Sequence, residues 1–213
     1  MAKLTGISGH FRVSAQADGK LLGSFVQLPF SPGKAAIERQ MAENFIASIN
    51  ALMIRDGGER FMLKNPRATA ENDFDFQLDP PSGTAALELM EIAPLTGPYA
   101  AAPASYRPYE LARSILTAVH AKSRHYASTR GPDIYLLLYL THWTFTLSLS
   151  TVRCLQYWLQ RERTVFSAIF AYQPLDAHSG VPHWLFPIPP EILGTFTPDD
   201  VARNSVINVD PSR

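Results

Sequence analysis

Residues 72–92 read NDFDFQLDPPSGTAALELMEI, and the reading of this stretch decides the architecture. Two short runs with strand character are separated by Pro80-Pro81-Ser82-Gly83, a connection suited to a hairpin. Side chains two apart on a strand share a face. Asp73 and Asp75 are therefore expected on one face of the first strand, with Phe74 and Phe76 turned together into the core on the other. On the second strand Glu88 and Met90 share a face, while Leu87, Leu89 and Glu91 lie opposite. If the strands are neighbours, Asp73 or Asp75 faces Glu88. Two carboxylates that close repel unless a cation lies between them, and hard oxygen ligands suit Mg²⁺ or Mn²⁺.

Upstream, Ile37, Met41, Phe45, Ile46, Ile49, Leu52 and Met53 recur at steps of three and four, which predicts an amphipathic helix from Ala35, closed by Asp56-Gly57-Gly58. RFMLKNP (60–66) supplies a further strand before DFDFQLD (73–79) and TAALELMEIAPL (84–95). After a Pro-rich loop, YELARSILTAVHAKSRHYAS (109–128) has helical spacing at Leu111, Ile115, Leu116, Val119 and Tyr126. DIYLLLYL (133–140) is apolar without alternation, as expected of a central strand covered on both faces. A third helix over 148–162, a strand at TVFSAIFAYQ (164–173) and a short strand at HWLFPI (183–188) follow. HFRVSAQADGKLLGSFVQLPF (10–30) reads as a hairpin about Ala17-Asp18-Gly19. The expected fold is α/β, a central mixed β-sheet flanked by helices. It divides into an N-terminal β-hairpin extension (1–34), a core (35–173) and a Pro-rich C-terminal extension (174–213) packed on the same domain.

The 213 residues suffice for one domain with a substantial core, and 46% apolar residues exclude wholesale disorder. Nineteen basic residues balance nineteen acidic ones, so the whole molecule has no field drawing it to anionic partners. The local distribution is uneven. Between 107 and 163 the bases Arg107, Arg113, Lys122, Arg124, Arg130, Arg153, Arg161 and Arg163 outnumber the acids Glu110, Asp133 and Glu162. Glu71, Asp73, Asp75, Asp79, Glu88 and Glu91 cluster upstream. An acidic centre beside a basic flank suits a metal-dependent phosphodiesterase, whose metal needs ligands and whose substrate phosphates need neutralising. Arg113, Lys122, Arg124 and His125 are the candidate nucleic-acid contacts.

Cys154 is the single cysteine, which excludes an intramolecular disulfide and a cysteine-based zinc cluster. The start has no signal-peptide core, and the longest apolar run, IYLLLYL, is about a third of a membrane span. An intracellular, cytoplasmic protein with no membrane partner is expected. His178 and His183 have a loop spacing with no third ligand, which disfavours zinc. No Gly-rich strand–helix turn, G-x-S-x-G elbow or H-E-x-x-H is present.

The order helix, three strands, helix, strand, with an acid on the second strand and another on the third, resembles the PD-(D/E)XK nuclease superfamily over roughly residues 35 to 172. The resemblance implies a restriction-endonuclease-like αβββαβ core and Mg²⁺- or Mn²⁺-dependent cleavage of nucleic acid. The superfamily's aspartate falls on Asp73, with Asp75 next in line, and its second acid on Glu88. Asp75 or Glu91 would assist at the metal, and Glu38 or Glu43 is available where a first-helix acid joins the site. Asn72 stands in place of the usual proline, and Met90 in place of the catalytic lysine. A thioether cannot replace an ammonium ion. In some members the lysine has migrated to the following helix, where this chain has Lys122. The alternative is a catalytically inactive member of the fold serving as a structural or protein-interaction module. The segments outside the core are the natural sites for a second copy or another protein.

Overall fold

The strand Asp133–Leu140 runs through the middle of the molecule and explains its layering. In the computed structural model, residues 9–28, 30, 33–55, 67–68, 74–78, 84–92, 105–128, 133–142 and 145–207 are described. Their elements are strands β1 (Gly9–Ala15) and β2 (Leu21–Gln27), helix α1 (Lys34–Arg55), and strands β3 (Arg67–Ala68), β4 (Phe76–Leu78), β5 (Ala85–Ile92) and β6 (Ser105–Tyr106). Helix α2 (Pro108–His125), strand β7 (Asp133–Leu140), helix α3 (Leu149–Leu159), and strands β8 (Ala168–Pro174), β9 (Gly180–Phe186) and β10 (Val206–Ile207) follow.

Strand β7 is buried from Ile134 to Leu140, and its alternation assigns each side chain to one of two cores. Ile134, Leu136, Leu138 and Leu140 pack with Leu111, Ala112, Ile115 and Val119 of α2 and with Val152, Leu155 and Leu159 of α3. Tyr135, Leu137 and Tyr139 pack with Ile37, Met41, Phe45, Ile46 and Ile49 of α1. A strand covered on both faces has no polar side to show, which is why its sequence lacks alternation.

The sheet has six strands in the order β3-β4-β5-β7-β8-β9. β3, β4 and β5 pair antiparallel, β5, β7 and β8 pair parallel, and β9 returns antiparallel to β8. The two parallel steps are bridged by α2 and α3, which share one face of the sheet, while α1 covers the other. The expected mixed sheet flanked by helices is therefore observed.

Several expectations are adjusted. The helix from Ala35 begins one residue earlier, and residues 56–58, expected to close it, lie outside the described residues, as do 60–66. Of the expected strand over 73–79, residues 74–78 are described: Phe76–Leu78 is strand and Asp75 a bend. Phe74 and Phe76 do not share a core. Phe74 packs on the α2–α3 side, stacked on Tyr126 at 5.3 Å, whereas Phe76 is buried on the α1 side. Two-residue alternation requires a continuous strand, and the bend breaks it. Strand β9 begins at Gly180, so part of the Pro-rich C-terminal segment completes the central sheet. Beyond it lie two short 3-10 helices, Pro190–Ile192 and Pro198–Val201, and β10, which pairs with β6. The hairpin expected at residues 10–30 forms as β1–β2, a separate two-stranded sheet turning at Gly19 with φ of 81°. No helix among the described residues is long and apolar enough to cross a membrane.

Candidate functional site

The site lies where β4 and β5 part. Phe76 pairs with Leu87, and two residues further along the ladder Leu89 would pair with Phe74. The pairing stops at Phe76 instead, so both ladder groups of Leu89 need other partners. Side chains supply them. Leu89 N–H donates to Asp75 Oδ2 at 2.7 Å, and Lys122 Nζ donates to the Leu89 carbonyl oxygen at 3.1 Å. Lys122 Nζ also lies 2.5 Å from Glu88 Oε1. Leu89 thus bonds both Asp75 and Lys122, and Lys122 in turn pairs with Glu88.

Lys122 arrives through the azimuth of α2. Ile115, Val119, Lys122 and Tyr126 follow steps of four, three and four, so Lys122 continues the stripe that faces the sheet. Its side chain is 24% exposed, and that of Glu88 is 8% exposed. Burial pushes the Glu88 carboxyl above the usual carboxylate range and Asp75 adds to the rise, while the bonds from Lys122 and Tyr126 offset part of it. Tyr126 therefore ties the two acid-bearing segments together, hydrogen-bonding Glu88 and stacking on Phe74 next to Asp75.

Asp75 stands at the seam between the two faces of the sheet, and its charge is felt on both. On the α1 side Glu38 is 7% exposed, and burial pushes its carboxyl up, with Asp75 reinforcing the shift. Lys34 Nζ pairs with Glu38 Oε1 at 3.2 Å, and Tyr139 Oη approaches the same oxygen at 3.5 Å. Burial, with Glu38, Glu91 and Asp75 nearby, pushes the Tyr139 phenol well above its ordinary value.

Of the residues expected from sequence, Asp75, Glu88 and Lys122 come together, and Asp73 lies outside the described residues. The Phe76–Leu87 register sets Asp75 opposite Glu88. Glu91 does not join Glu88. It is three residues further along β5, on the opposite face, and accepts a hydrogen bond from Thr141 Oγ1. Glu43 pairs with Arg39 at 3.9 Å on the exposed side of α1, whereas Glu38 is buried beside the site.

The expected basic set also divides. Arg113 is nine residues from Lys122, half a turn around the helix axis, and Arg124 lies on the same far stripe as Arg113. Both are exposed, and Arg113 sits over the Tyr109 ring. His125 stays on the side of Lys122, edge-on to Tyr126 at 4.9 Å. Tyr139 and the backbone of Leu89 were not foreseen. Two tyrosines in an otherwise aliphatic run were the available signal for Tyr139, whereas a strand divergence leaves no mark in composition.

Asp75, Glu88 and the Leu89 carbonyl offer hard oxygen donors of the type that Mg²⁺ or Mn²⁺ takes. Among the described residues no group of three or more His, Cys, Asp or Glu side chains is placed to hold a metal ion. Two carboxylates match the habit of Mg²⁺, which keeps several waters and takes its remaining oxygens from substrate phosphate.

No protein-family model, curated protein or solved structure matches this chain.

Proposed function

We propose that this protein is a divalent-metal-dependent nuclease with a restriction-endonuclease-like αβββαβ core, of the PD-(D/E)XK kind, in which Lys122 on α2 replaces the lysine missing at Met90. One observation carries the reading: Lys122 Nζ is drawn into the opening between β4 and β5, bonded to Glu88 and to Leu89, whose N–H holds Asp75. The order of α1, β3, β4, β5, α2 and β7, with two antiparallel pairings followed by a parallel one, supports it as well.

Asp75 and Glu88 are the residues that hold the ion. Bound there, Mg²⁺ or Mn²⁺ supplies Lewis-acid polarisation of a phosphoryl oxygen and a more acidic water. Lys122 brings a unit positive charge to the phosphate, where negative charge grows in the transition state. Glu38, whose carboxyl is pushed up by burial and by Asp75, stays paired with Lys34 on the other face of the same seam. Tyr126 orients Glu88, and exposed His125 beside it offers a ring N–H to a nucleic-acid backbone.

The same ion pair favours a second reading. Lys122 satisfies both Glu88 and the Leu89 carbonyl with no metal, as a structural plug in a non-catalytic member of the fold would. Incubation of labelled single- and double-stranded DNA and RNA with Mg²⁺, Mn²⁺ or EDTA separates the two. Metal-dependent cleavage by the wild type, abolished in Asp75→Ala, is the expected result. Cleavage untouched by Asp75→Ala excludes this site, and inertness toward every substrate favours the structural plug.

A further inference from the structure

The oxygens that gather around Lys122 Nζ are the donors a hard divalent cation would take. Glu88 Oε1 lies at 2.5 Å and the Leu89 carbonyl at 3.1 Å, while Asp75 is held against the N–H of the same Leu89. An ammonium and a divalent ion cannot share that space, because each needs direct contact with the same lone pairs and their charges repel. The side chain has somewhere to go: Lys122 is in the last turn of α2, followed by exposed Arg124 and His125, and a four-carbon stem swings by rotamer change alone.

We propose that Lys122 is an internal stand-in for the metal, so that ion binding and the Lys122–Glu88 contact exclude one another. Uptake of the ion expels the ammonium from Glu88 and Leu89 and presents it to solvent at the rim, where a substrate phosphate is met. The buried Glu88 carboxylate is thereby never left uncompensated, and the ammonium is deployed only when the site is loaded. This inference rests on the metal-site reading above and adds the exchange to it.

Calorimetric titration with Mn²⁺ alone near pH 7 tests it on the wild type, Lys122→Met and Asp75→Ala. Removing a competing unit charge a few ångströms away is expected to tighten binding at least about tenfold in Lys122→Met. Asp75→Ala is expected to remove binding. A second measurement needs no variant. Acetic anhydride labelling of the full-length wild type, read by mass spectrometry, should rise several-fold at Lys122 when Mg²⁺ is added, with exposed Lys20 as reference.

Binding that depends on Asp75 but is equal or weaker in Lys122→Met overturns the exchange and leaves the metal site standing. Labelling of Lys122 unchanged by a bound ion does the same, and decides the matter should Lys122→Met not fold. Absence of Mn²⁺ binding by both wild type and Lys122→Met overturns the exchange together with the metal-site reading.

Discussion

Strand β7 and the β4–β5 seam lie one strand apart, yet they solve opposite problems. Along β7 every register position is filled, by β5 on one side and, from Tyr135 to Tyr139, by β8 on the other, and both faces are apolar. At the seam the ladder ends at Phe76, and the polar groups of Leu89 are met by Asp75 and Lys122. A completed ladder has no backbone valence to spare and makes a rigid support. An interrupted one draws charged side chains into the interior, because a buried peptide group without a partner costs about 1–3 kcal/mol. The charged side chains collect where pairing stops, and the neighbouring closed strand keeps them in place.

This contrast is open to direct test. The largest effect is expected for Leu137→Ala, which opens a cavity in the fully buried face of β7 and should cost about 2–5 kcal/mol in denaturant unfolding. A cost below about 1 kcal/mol would show that β7 is not the rigid support described.

Next comes Asp75→Ala. On the proposed metal-site reading, Asp75→Ala should lower metal-dependent cleavage by more than the roughly 10–100-fold typical of outer-shell substitutions, and the Leu89 N–H it leaves without a partner should cost about 1–3 kcal/mol in unfolding free energy. Asp73→Ala, measured beside it, should do far less. The reverse ranking would move the site to Asp73.

A smaller effect is expected from Glu38→Gln on the pH dependence of stability. Burial raises the folded-state pKa of Glu38 above its unfolded value near 4.5. Its contribution is therefore complete below about pH 4.5 and is lost as pH rises through the raised value. Urea midpoints of the wild type should fall across this interval more than those of Glu38→Gln. Parallel curves would mean that Glu38 titrates as an exposed acid.

The smallest change is expected for Arg113→Ala and Arg124→Ala, which sit on the stripe of α2 away from Lys122. Affinity for nucleic acid at moderate salt should shift only a few-fold, since each removes at most one distant phosphate contact. A large loss would place the nucleic acid on the outer face of α2.

Much of the frame was legible in residue order. Steps of three and four marked α1 and α2, the unbroken apolar run of 133–140 marked the central strand, and alternation set Glu88 against Leu87 and Leu89. Within the candidate site, Glu88 and Lys122 were named from sequence and meet in the structure, whereas Glu91 and the arginines of α2 do not join them. Asp73 and Asp75 are equivalent to any argument from alternation. Only the Phe76–Leu87 register sets Asp75 opposite Glu88, and Asp73 lies outside the described residues.

The amino-acid sequence by itself determined the α/β class, the central place of β7 and the face on which Glu88 lies, because each follows from a periodicity contained within one element. Tertiary structure alone decided that Asp75 lies opposite Glu88, that Lys122 turns inward, and that Glu38 and Tyr139 approach from the other face. Those facts depend on where two strands part and on how a helix is rotated against the sheet. Both are set by contacts between residues far apart in the chain, which no local spacing encodes.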